Sequence, residues 1–293
     1  MTRRPTTRVA VAACALVLLV GCAGGEDGGT ASDLDPGMLH VHGLGVDPVD
    51  GTVLAATHTG LFRVDGDSPD VSVERVADRW HDLMGFAVDG ERLLASGHPD
   101  AREDLPVHLG LVASDDGGAT WQPVSLTGDA DLHALAARDD QVVGWDATTS
   151  VLRRSDDGGR TWQELGGVPE VSSVALLADG TPVVVSAGRV QRLEGVDLVP
   201  FDPPAPDRAQ HVAVPAGGSP VLVTGAGEVA RLDPDGWAVT GDLGAPATAV
   251  AAVSDTDLLA ATEEHVLSST DGGRTWTAVV ALADTRTGTA AGS

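Results

Sequence analysis

Three octapeptides in this chain repeat one pattern: Ser114-Asp115-Asp116-Gly117-Gly118-Ala119-Thr120-Trp121, Ser155-Asp156-Asp157-Gly158-Gly159-Arg160-Thr161-Trp162 and Ser269-Thr270-Asp271-Gly272-Gly273-Arg274-Thr275-Trp276. All three read S-x-D-x-G-x-T-W. Such a segment closes a β-hairpin: the Ser and Asp side chains bond nearby amides, the glycines take positive φ, and the tryptophan folds back onto the sheet. No stretch of the chain sustains a helical period.

A second pattern recurs upstream of these turns. Short strands begin at His40-Val41-His42-Gly43-Leu44-Gly45-Val46, at Asp82-Leu83-Met84-Gly85-Phe86-Ala87-Val88 and at Asp131-Leu132-His133-Ala134-Leu135-Ala136-Ala137, with weaker copies from Val171, Ala209 and Ala247. The starts fall about 40 residues apart, the length of a propeller blade and too short for independent domains. Residues 43, 85 and 134 are small while 44, 86 and 135 are Leu, Phe and Leu, as sheets packed face to face require. The expected fold is therefore all-β: a single β-propeller over residues 38–283, with six four-stranded blades, seven being the alternative.

The first residues read as a secretion signal over 1–21. Arg3, Arg4 and Arg8 precede the apolar run from Val9 to Val20, which is too short to span a bilayer as a helix. Leu19-Val20-Gly21-Cys22 resembles the lipobox of bacterial lipoproteins, implying a lipid on Cys22 and an anchor on the extracytoplasmic face of the cell membrane. The plainer alternative is an ordinary cleaved signal with a chance cysteine. Residues 22–37 read as the lipidated cysteine and a flexible tether, and 284–293 as a disordered tail. Cys14, the second cysteine, lies inside the signal, so the mature chain has no thiol pair to oxidise. A net charge of −25 with no lysine argues against nucleic acid or anionic lipid headgroups as partners.

In a propeller, the start of each innermost strand and the loop between the second and third strands open on one face. That rule gathers His40, His42, Asp82, Met84, Asp131, His133 and His211 with His58, His98, Asp146 and Glu264, and sends the octapeptide turns to the other face. Aligning the strands puts His42, His133 and His211 in one column of blades one, three and five, with Met84, Ser173 and Ala249 between them. Three imidazoles around a channel mouth are ligands for zinc or copper if all reach one ion at roughly 2.1 Å; the alternative is a water-filled channel lined by histidines. The long loop from His98 to His108 is placed to shape a site, and its Arg102 to meet a ligand carboxylate.

The octapeptides resemble the Asp box of sialidase-like (BNR) repeats. In those families the box is scaffold, which implies a structural role for Asp116, Trp121, Asp157, Trp162, Asp271 and Trp276. With His40-Val41-His42-Gly43-Leu44, Ala56-Thr57-His58-Thr59-Gly60-Leu61-Phe62, Met84-Gly85-Phe86, Ser96-Gly97-His98-Pro99 and Leu132-His133-Ala134-Leu135, nearly the whole mature chain is similar to actinobacterial lipoproteins described as Asp-box glycosyl hydrolases or exo-α-sialidase-like proteins. The resemblance implies glycoside hydrolysis. A sialidase of the familiar type, however, needs a tyrosine nucleophile and three arginines clamping the sugar carboxylate, and this chain has no tyrosine.

Two functions remain at this stage. One is a membrane-anchored module, expected to be monomeric, that binds a small ligand, a metal, a glycan or a partner protein through His40, His42, His58, Met84, His98, Arg102, His133 and His211. The other is a glycosidase working through two carboxylates drawn from Asp131, Asp146, Asp82 and Glu264, with Asp131 and Asp146 the first pair. Scarce aromatic platforms, with Trp80 and Trp145 the tryptophans placed to serve for stacking, favour binding over sugar hydrolysis.

Overall fold

The computed structural model describes residues 35–66 and 71–286. Among them, six sheets of four antiparallel strands follow one another along the chain, each blade built from four consecutive strands. The innermost strands are Val41–Val46, Asp82–Asp89, Leu132–Arg138, Val171–Leu176, Ala209–Ala213 and Ala249–Ala252. The six-bladed expectation holds. The signal segment and Cys22 lie outside the described residues.

Apolar alternation builds a separate core at every junction between neighbouring blades. Leu54, Ala56 and Leu61 of the first blade meet Leu83, Phe86 and Leu93 of the second, and Leu94 and Leu111 meet Leu132 and Val142 in the next. The ring closes without a shared strand: Met38, Val41 and Phe62 pack on Leu259, Val266 and Val280 of the sixth blade. Around the channel the inner strands approach closely because their facing residues are small. A Cβ on Gly43 would lie 2.6 Å from Phe86 Cβ, and one on Gly85 2.1 Å from the Leu132 carbonyl oxygen.

Each octapeptide sits between the third and fourth strands of its blade. In the third blade, Ser155 Oγ receives the Gly159 amide at 2.9 Å and donates to Asp157 Oδ1 at 2.7 Å, while Thr161 donates its hydroxyl to Asp157 Oδ2 at 2.7 Å. The other two boxes repeat this network. Hydrogen bonds, led by that from the Thr275 hydroxyl, push the Asp271 carboxyl down to about 2. Trp121, Trp162 and Trp276 each pack at the junction with the preceding blade, and Trp162 Nε1 donates to Ser125 Oγ there at 2.8 Å. The box aspartates are thus occupied in holding turns, and their tryptophans in joining blades.

Both ends of the propeller extend past the expected limits. Asp35, placed in the tether by composition, accepts two 2.6 Å hydrogen bonds from Arg75. Thr285, placed in the tail, is buried and receives the Met38 amide at 2.9 Å. Short-range composition cannot register these contacts: Asp35 and Arg75 lie 40 residues apart, and Met38 and Thr285 meet only as the ring closes.

Candidate metal centre

Backbone pairing decides which side chains reach the channel mouth. Register shifts between Val41 and Gly43, Leu83 and Gly85, Leu132 and Ala134, Val171 and Ser173, and Ala209 and His211 leave one residue in each of the first five blades outside the regular pairing. Those residues are His42, Met84, His133, Ser172 and Gln210. A bulge of this kind re-aims its side chain. The expected column of His42, His133 and His211 is therefore out of step in the later blades: His211 aligns with Gly43, Gly85 and Ala134, one residue beyond the bulge. A single-residue slip turns a side chain to the other side of a sheet. His211 still lines the cavity that holds His42, Met84 and His133, but its Nε2 donates to the Ala247 carbonyl at 3.1 Å. The three do not form a ligand set.

A different arc of side chains does, spread over blades one to three. His42 Nε2 lies 3.3 Å from the ring nitrogens of His58, whose Nδ1 donates to Asp82 Oδ1 at 2.8 Å. The other oxygen of Asp82 lies 3.5 Å from His98 Nδ1, and His98 Nε2 lies 3.4 Å from Asp131 Oδ2. Asp131 Oδ2 also accepts from His133 Nε2 at 2.8 Å. Within this arc, His42, His58 and Asp82 form one group whose ligand atoms lie within 4.8 Å of one another, and His98, His108 and Asp131 form a second. The glycine before His98 makes the close approach possible. Gly97 has φ +140°, and a Cβ there would stand 2.0 Å from the Asp82 carbonyl oxygen.

Electrostatics favour the ligand form of His42 in the first group and of Asp131 in the second. Burial, followed by repulsion from His58 and His40, lowers His42 to about 3, so its ring is neutral at neutral pH. Burial opposes ionisation of Asp131, but the His133 hydrogen bond and the surrounding imidazoles outweigh it and hold the carboxyl below its ordinary value. The unfolded chain binds a proton on a histidine near 6.5, where folded His42 does not. Proton uptake thus favours unfolding as pH falls from 6.5 toward about 3. Thermal melts of metal-free protein are expected to decline across that window, and less steeply in His42→Gln; parallel declines would remove His42 as the cause.

The remaining candidates have other partners. Asp146, 0% exposed, accepts from the Thr148 and Thr149 hydroxyls at 2.8 and 2.6 Å and from the Asp131 amide at 3.2 Å. It is a scaffold carboxylate, and the Asp131–Asp146 pair does not present two free carboxylates to a glycosidic bond. Glu264 points outward, its side chain 84% exposed. Arg102 is bound to Asp100 at 2.6 Å and reaches Asp78, and is not free to meet a ligand carboxylate as expected. Its loop is pinned beneath by the Asp100 amide donating to His81 Nδ1 at 2.9 Å. His40 pairs with Glu263 at 3.2 Å, and its ring centroid stands 4.7 Å from that of His42. Trp80 lies under the Arg75 guanidinium at 3.6 Å, and Trp145 Nε1 donates to the Val168 carbonyl at 2.7 Å. His108 enters the site from the far end of the long loop, and only that loop's return to its own blade signalled it in the sequence.

No protein-family model and no curated protein matches the chain. Solved structures do share its fold. A structure described as YCF48 bound to D1 peptide aligns over 83% of this chain and 82% of that chain, at 14% identity and TM-score 0.52. The GH74 enzyme of Niastella koreensis aligns over 83% of this chain and 45% of that chain, at 16% identity and TM-score 0.56. An inactive virginiamycin B lyase from Staphylococcus aureus, with quinupristin, aligns over 85% of each chain at 12% identity and TM-score 0.53. Identities this low establish the fold alone. The class so defined is a six-bladed β-propeller, distantly related to varied propeller proteins, with two His/Asp groups whose geometry suits a divalent metal ion.

Proposed function

We propose that the protein is a transition-metal-binding module of the Asp-box lipoprotein group, exported and held by a lipid on Cys22 with its His-rich face free in the extracytoplasmic space. The observation that carries the metal reading is a pair of orphaned atoms. Asp131 Oδ1 and His108 Nδ1 are buried without a hydrogen-bond partner, and both residues belong to the group completed by His98. Leaving such atoms bare costs about 1–3 kcal/mol each, which a coordinated cation offsets. Neutral imidazoles with carboxylate oxygen make a donor set for zinc or divalent copper.

Purified full-length protein is expected to hold zinc or copper against dialysis, to release it to a chelator, and to lose affinity at least tenfold in His108→Ala. Folded protein that retains no metal above buffer level, by elemental analysis, sinks this reading. For the anchor, Cys22→Ser is expected to move the protein from the membrane fraction to the soluble extracytoplasmic fraction; unchanged fractionation removes the lipid. Glycan hydrolysis has weaker support, since Asp146 is consumed by its own blade.

A further inference from the structure

The metal-binding reading treats the face as holding an ion; the geometry points to two. Building on that reading, we propose that blades one to three hold a binuclear centre in which the Asp82 carboxylate is shared between two divalent transition-metal ions. The two ligand groups have no member in common. His42, His58 and Asp82 make one, and His98, His108 and Asp131 the other, so filling one does not empty the other.

Asp82 stands where they meet. Oδ1 faces His58 Nδ1 at 2.8 Å and Oδ2 faces His98 Nδ1 at 3.5 Å, one oxygen toward each group. A carboxylate spanning two ions in this way is a usual bridge in sites whose metals lie roughly 3.5–4 Å apart. His40, tilted against His42 and stacked on His58, and His133, bonded to Asp131, supply a further nitrogen at either end of the arc. The charge is also compatible. Two carboxylates, Asp82 and Asp131, lie among the imidazoles, Glu263 stands 3.2 Å from His40, and the chain as a whole carries −25, a field that concentrates cations.

The test uses the full chain, stripped with chelator and titrated with zinc and with divalent copper. Two equivalents are expected for the wild type, and one each for His58→Ala and His108→Ala, with circular dichroism confirming the fold of every variant. Copper-loaded wild type is expected to show a half-field electron paramagnetic resonance signal from coupled spins. Asp82→Asn is expected to lose that signal while keeping copper. One equivalent in the wild type, abolished by either histidine change, overturns the binuclear centre and leaves the metal-binding reading standing. Two uncoupled ions overturn the sharing of Asp82. Binding of no ion refutes the earlier reading, and this one with it.

Discussion

Asp146→Ala is expected to lower the unfolding free energy by about 3–5 kcal/mol, the usual cost of removing one partner from a buried charged network. Two threonine hydroxyls, the Asp131 and Thr148 amides and Arg153 all turn to this fully buried carboxylate. Its pKa direction agrees: burial opposes ionisation, but the Thr149 and Thr148 hydroxyl bonds outweigh it and hold the carboxyl below 3.8. That contribution is therefore complete above 3.8 and is lost as pH falls through the lower folded value. Asp146→Asn, which keeps the shape and one acceptor oxygen, is expected to cost less. Urea denaturation of the three proteins checks the order. An Asp146→Ala chain as stable as wild type, but devoid of turnover on aryl glycosides, would return Asp146 to a catalytic role. Metal affinity should weaken in the alanine variant as well, because the bond to the Asp131 amide helps seat Asp131 in the arc.

Gly85→Ala is expected to be the most damaging single-methyl change on the channel wall. The added Cβ meets a backbone oxygen of the neighbouring blade, Leu132 O, at 2.1 Å, where no side-chain rotation can relieve the clash. Overpacking of a core costs about 1–3 kcal/mol when side chains give way, and here a strand must move instead. Gly167→Ala is the control. Its Cβ would lie 3.9 Å from its nearest neighbour, Ser150 O, and its stability is expected to stay within about 0.5 kcal/mol of wild type. Equal unfolding midpoints for the two variants would contradict the close inner-strand packing. Because Leu132 precedes His133 and follows Asp131, the same displacement should loosen metal at the second ligand group.

Much of the fold was readable along the chain because its causes are local. Ser155, Asp157, Gly159 and Thr161 bond one another within a single turn, so the octapeptide carries its own geometry wherever it occurs. Alternation of small and bulky residues likewise reports a blade's two faces without knowledge of its neighbours. The gathering of His42, His58, Asp82, His98, Asp131 and His133 on one face followed from the propeller's connectivity once the repeat was found.

Partnership among those residues was another matter. Whether His211 joins His42 and His133 turns on a bulge one residue long, and that displacement arises from hydrogen-bond register with the second strand. Asp131 and Asp146 look equivalent as carboxylates in sequence, yet one keeps an orphaned oxygen and the other has its bonds filled. Asp35 and Thr285 read as loose ends until the first blade brings Arg75 against Asp35 and ring closure brings Met38 against Thr285. Turn chemistry and strand period are short-range properties written in consecutive residues, whereas ligand geometry depends on cross-strand register and on which buried atoms are left without a partner, and those exist only once the blades have closed.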